Sequence, residues 1–144
     1  MKVTITGYRP EKIIGHEKEI KDWLTQELEK LTAENGTLDC YCGMIPGVDQ
    51  MFGFAALAAN HRLHCVYPYH KREDAMSRHL AAQANSVSYI CKEFDSSANM
   101  ARNKYQIDSC DVLLAVWNEE EAGRAWQMIN YARAQGKKII YMMI

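Results

Sequence analysis

The chain has 144 residues and a mass of 16.5 kDa, with 48% hydrophobic and 24% charged residues. That balance excludes disorder and low complexity and fits one domain over residues 1–144. Seventeen Lys plus Arg against eighteen Asp plus Glu leave a net charge of -1, so there is no basic field to gather nucleic-acid phosphates, and no nucleic-acid partner is expected. No apolar run approaches the roughly 20 residues of a membrane span, and the start reads as a strand rather than a signal peptide, which predicts no membrane partner and a cytoplasmic location.

In chain order, residues 3–6 form a β-branched run ended by Gly7. Ile20, Trp23, Leu24, Leu28 and Leu31 then recur at helical spacing until Asn35-Gly36 stops them. Residues 38–42 read as a strand, 47–60 as an alanine-rich helix, and 63–67 as a strand ended by Pro68. The second half predicts a helix near 72–84, a strand at 87–91, a helix near 97–108 and the very apolar strand 112–116. A helix from Gly123 to a cap at Gly136 and a last strand at 138–141 complete the chain. Strands alternating with helices in this way predict an α/β fold: a Rossmann-like three-layer sandwich with a mostly parallel six-stranded sheet and helices on both faces. The expected strand order is 3-2-1-4-5-6.

Five cysteines, Cys40, Cys42, Cys65, Cys91 and Cys110, are odd in number and scattered, as reduced, mostly buried thiols are. Cys40-x-Cys42 and His61-x-x-His64 lack the second pair that a metal site wants, so no metal and no cofactor are expected.

Ligands in such sheets bind beyond the carboxyl ends of the strands, where strand order reverses, which directs attention to the loops after strands one, two and five. The first holds Gly7, Tyr8, Arg9 and Pro10: a tight turn, a stiff exit and a guanidinium suited to phosphate or carboxylate. The second holds Gly43, Met44, Gly47, Val48 and Asp49 and opens a helix whose free N–H groups favour an anion. It is neither a Walker A loop nor a Gly-x-Gly-x-x-Gly fingerprint. Asp49 there either caps the helix or accepts from a ribose hydroxyl. After strand five come Trp117, Asn118, three glutamates, Gly123, Arg124 and Ala125, offering a phosphate cradle, a cation and, in Trp117 or Trp126, a stacking surface or simply a packing one. Asn99, Arg102, Asn103, Asp108 and Asp111 line up polar groups along the preceding helix and its exit.

Together, Thr6-Gly7-Tyr8-Arg9-Pro10, Gly43-Met44 followed by Gly47-Val48-Asp49, and Arg102-Asn103 before Asp108-x-x-Asp111 resemble the YpsA/YspA-like branch of the SLOG superfamily, which also includes DprA-like proteins and the LOG hydrolases. The similarity continues through Ala115-Val116-Trp117 to Gly136-Lys137. It implies a Rossmannoid fold and a nucleotide or nucleotide-derived small molecule as partner. Relatives tend to carry Gly-Gly-Thr where this chain reads Gly123-Arg124-Ala125, and Met128 falls where LOG hydrolases place a glutamate. The expected function is therefore binding, whether sensing, carrying or sequestering. The alternative is N-glycosidic hydrolysis or transfer, with Asp49, Glu119 or Glu121 as carboxylate. Eight methionines and several aromatic residues also leave room for a homo-oligomer face, with the glycine loops as plain turns.

Overall fold

The computed structural model describes residues 1–70 and 73–144. The expected start of a helix at Arg72 lies outside the described residues. The elements follow in the order β1 (Lys2–Thr6), a 3-10 turn (Pro10–Lys12), α1 (Glu17–Asn35), β2 (Asp39–Cys42), α2 (Val48–Ala58), β3 (Arg62–Tyr67) and α3 (Ala75–Ala82). They continue with β4 (Ser86–Tyr89), α4 (Ala98–Ser109), β5 (Val112–Trp117), α5 (Gly123–Ala134) and β6 (Lys138–Met143). Punctuation in the sequence sets several of these limits. Gly36 ends α1 at φ 72°, a conformation glycine adopts without strain. Asp74 caps α3, accepting from Ser77 N while Ser77 Oγ accepts from Asp74 N.

Every strand pairing is parallel, so this is an α/β Rossmann-like sheet. The strand order is β4-β3-β2-β1-β5-β6, which corrects the expected 3-2-1-4-5-6. The fourth strand adds outside the third, and the fifth pairs with the first. Burial explains the difference. β4 alternates half-buried serines with exposed Val87 and Tyr89, which suits an edge. β5 is buried from Val112 to Val116, which suits a strand with a neighbour on each side in a sheet covered on both faces.

Right-handed crossovers then put α1, α2 and α3, which carry the chain outward from β1 to β4, on one face, and α4 and α5 on the other. Alternation along the strands feeds both layers. Val3, Ile5, Cys40, Cys65 and Leu114 join Leu24, Leu28 and Phe52 in the larger core. Leu113 and Ala115 join Ile107, Met128 and Ile129 in the smaller. On the second face β1 presents Thr4, whose Oγ1 accepts from Gln106 Nε2 at 2.9 Å. The switch point thus falls between β1 and β5, with polar side chains rather than a plain apolar seam beneath α4.

Candidate functional site

Three loops meet at the carboxyl edge of the sheet, and glycines let them touch. A Cβ on Gly7 would lie 2.6 Å from the Val48 side chain, and one on Gly47 (φ 104°) 2.3 Å from the Tyr8 carbonyl oxygen. Val48 N donates to that same carbonyl at 3.1 Å. These glycines therefore serve the contact between the β1 loop and α2. Tyr8 is buried, and its hydroxyl donates to Asn118 Oδ1 at 2.5 Å, tying in the β5 loop. Burial raises the Tyr8 pKa and keeps the phenol protonated. Nearby, Lys12 pairs with Glu120 at 3.1 Å. With its neighbours so fixed, Arg9 projects as an exposed cation, and Pro10 starts the 3-10 turn behind it.

Beneath the β2 loop lies a network that no single motif announces. Arg124 Nη1 and Nη2 donate to the two Asp49 oxygens at 3.0 and 3.1 Å, and Nη2 also donates to Gln106 Oε1 at 3.2 Å. Arg124 Nε and Arg102 Nε both donate to Asn103 Oδ1, at 3.0 and 2.9 Å. Arg102 Nη1 donates to the Gly43 carbonyl at 2.8 Å. Asp49 has 2% of its side chain exposed, and Arg124 17%. Such a forked, mostly desolvated pair holds its geometry firmly. Gly43 is required above it, because a Cβ there would fall 2.6 Å from Asp49 Oδ2 and 2.8 Å from Arg124 Nη2. The next residue, Met44, takes φ 67°, and its carbonyl accepts from Gln50 Nε2 at 3.2 Å.

The concavity over this network has a volume of about 620 Å³, within the usual range for small-molecule sites. Of the residues singled out in the sequence, Arg9, Gly43, Met44, Asn99, Arg102, Asn103 and Arg124 line it. Arg9 and Arg124, 115 positions apart in sequence, face one hollow.

The others are placed differently. Gly7, Tyr8, Pro10, Gly47, Val48 and Asn118 shape the rim through the contacts above, and Ala125 is buried in the core. Asp49 neither caps α2 nor faces the hollow, since both of its oxygens hold Arg124. Gly123 opens α5 at φ 81° with open space around it, so it supplies a backbone turn and no close approach. Trp117 stacks on Trp126 at 5.4 Å between centroids and 7° between planes, and its Nε1 donates to the Glu120 carbonyl. Both indoles pack on the smaller core, so of the two readings offered for them the structure shows the packing one. Asp111 accepts from Lys2 N at 2.9 Å, at the opposite, amino edge of the sheet, and is removed from the site.

Sequence reasoning missed the loop after β3, which brings Pro68, Glu73 and Asp74, and, around the start of α4, Ser96 and Met100 beside the Asn99 it had named. The strand order is the reason, because with β4 at the edge α4 must cross back over the sheet and its first turn reaches the hollow. Pro68 and Asn99 carried a visible signal. Glu73 and Asp74 carried none.

Fold and site together define an α/β Rossmann-like domain with a polar, arginine-lined hollow at the carboxyl edge of a parallel sheet. No family model and no curated protein matches the sequence. Solved structures share the fold, and two of them illustrate it. One is DNA processing protein A (DprA) from Streptococcus pneumoniae, at a TM-score of 0.75 and 16% identity over 97% of this chain and 49% of that one. The other is TM1055, at a TM-score of 0.65 and 16% identity over 96% of this chain and 71% of that one. This chain spans about half the length of DprA. Among the described residues, no helix is long and apolar enough to cross a membrane, and no cluster of three or more His, Cys, Asp or Glu could hold a metal.

Proposed function

We propose that the protein binds a nucleotide-derived, anionic small molecule in this hollow, as a sensor, carrier or sequestering domain of the YpsA-like branch of the SLOG superfamily. The observation that carries the reading is the convergence of Arg9, Arg102 and Arg124 on one concavity at the carboxyl edge of the sheet. The fold shared with DprA supports the superfamily, and the motifs around Arg9 and Gly43 support the branch.

The three arginines have different duties in this reading. Arg9 is exposed and makes the direct phosphate contact. Arg124 and Arg102 are held by Asp49, Asn103 and the Gly43 carbonyl, and add positive potential without moving. Binding is favoured over N-glycosidic cleavage by what became of the candidate carboxylates. Asp49 is bonded to Arg124, Glu119 and Glu121 are exposed outside the hollow, and Met128 sits in the core where a LOG hydrolase has its glutamate.

Thermal shift against a panel of nucleoside phosphates, NAD and ADP-ribose tests the reading, because a ligand at 100 times its Kd adds about 2.7 kcal/mol to stability. At least one compound should raise Tm. Arg9→Ala should weaken it roughly tenfold to a hundredfold, the loss of one charge-assisted contact. The absence of any shift across the panel overturns the reading. Release of free base from any of these compounds over hours would turn it toward the hydrolase.

A further inference from the structure

With Asp49 committed to Arg124, the carboxylates that line the hollow are Glu73 and Asp74, from the loop between β3 and α3. Both are held by neutral donors. Glu73 Oε1 accepts from the Tyr89 hydroxyl at 2.6 Å. Asp74 Oδ1 accepts from Ser77 N at 3.0 Å, and Gln50 Nε2 donates to both Asp74 oxygens at 3.2 and 3.1 Å. Among the described residues no Lys or Arg forms an ion pair with either. Among the described residues, one hollow is therefore lined both by guanidinium groups and by carboxylates that no cation pairs.

A carboxylate offers about four acceptor positions. By the bonds just given Glu73 uses one and Asp74 uses three, so the pair keeps free lone pairs while its positions are fixed. Like-charge repulsion keeps a phosphate away from this wall and beside the arginines. What the wall can take from a phosphorylated ligand is a neutral group with several donors.

We infer that Glu73 and Asp74 form the hydroxyl-recognising end of the site and select a ligand bearing the vicinal diol of a ribose as well as a phosphate. The inference rests on the reading of the hollow as a nucleotide-derivative site. It moves the ribose contact from the loop after β2 to the loop after β3. A site built to accept from hydroxyls rejects the analogue that lacks them, because its acceptors are left desolvated and unpaired.

The experiment compares each of the four ribonucleoside monophosphates with its 2′-deoxy counterpart by isothermal titration, in the full chain and in Glu73→Gln and Asp74→Asn. Asparagine is as good an N-cap as aspartate, so Asp74→Asn leaves the start of α3 capped. For a base that binds, the ribose form should be held at least about tenfold more tightly. That ratio should fall toward one in Glu73→Gln and Asp74→Asn, while Arg9→Ala weakens both forms and leaves the ratio alone. Equal binding of ribose and deoxyribose forms overturns the inference and leaves the nucleotide reading standing. So does a ratio untouched by either carboxamide variant. Failure of every ribose form to bind overturns the inference, and the reading with it where the wider panel of nucleoside phosphates, NAD and ADP-ribose also gives no shift.

Discussion

Arg124 donates to Asp49, Asn103 and Gln106 from a guanidinium only 17% exposed, so its first task is structural. Removing it strands a buried carboxylate. Arg124→Met should therefore cost about 3–5 kcal/mol in urea unfolding, whereas Arg124→Met with Asp49→Leu should recover most of the loss, since apolar packing replaces such pairs at little cost. Gly43→Ala forces a methyl against Asp49 and Gln106 at 2.6 Å, and an overpacked site of this kind costs about 1–3 kcal/mol. Both outcomes are read from the urea midpoint at constant m-value. At this scale the sequence revealed that Gly43, Asp49 and Arg124 mattered. It did not reveal that they mattered to one another, because the partners lie 6 and 75 positions apart and only the sheet brings them together.

The strands and helices add a pH dependence of their own. His61, at the turn into β3, accepts from Leu38 N at its Nδ1 (3.1 Å). Its Nε2 faces Thr32 Oγ1 at 3.0 Å, and since Thr32 Oγ1 already donates to the Leu28 carbonyl, the imidazole donates there and is neutral. Burial, aided by Arg62, lowers its pKa. The native state thus resists the imidazolium, and this contribution is complete above the ordinary histidine pKa of about 6.5 and lost as pH falls below it. His61→Gln should flatten the part of the stability profile between about pH 7 and 5 relative to the unmodified chain. A second limb belongs to Asp39 in β2, which accepts from Arg62 in β3 at 2.7 and 2.9 Å and bonds His64 at 2.8 Å. The Arg62 hydrogen bonds hold its carboxyl far below the usual range. The stability it confers is present above the unfolded carboxylate pKa of about 3.9 and disappears on further acidification, so Asp39→Asn should flatten that limb. Helical periods, glycine stops and apolar strands were legible for nearly every element. The strand order was not, because chain order says nothing of where β4 docks, although its exposed, serine-bearing composition pointed to an edge.

For the molecule as a whole, the two cores control which thiols meet solvent. Cys40, Cys42, Cys65 and Cys110 are buried, while Cys91 is half-exposed. Burial pushes the Cys40 and Cys65 thiols up to about 12 and raises those of Cys42 and Cys110 as well. A thiol-disulfide reagent at pH 8 should therefore label Cys91 promptly and the other four at the rate of global unfolding, with one fast equivalent measured by absorbance. More than one fast equivalent would mean that the sheet opens locally around the buried thiols. The sequence by itself determined the α/β class, because periodicity and turn residues act over a few neighbours and are written in local order. It also singled out Arg9, the Gly43 loop, Arg102 and Arg124, which line one hollow. Only the tertiary structure decided that the Trp117 indole stacks on Trp126, that Asp111 lies on the far edge, and that Glu73 and Asp74 line the hollow while Asp49 pairs with Arg124. Each of those outcomes depends on which strand is the neighbour of which, and burial of the most apolar strand between two others is part of what settles it.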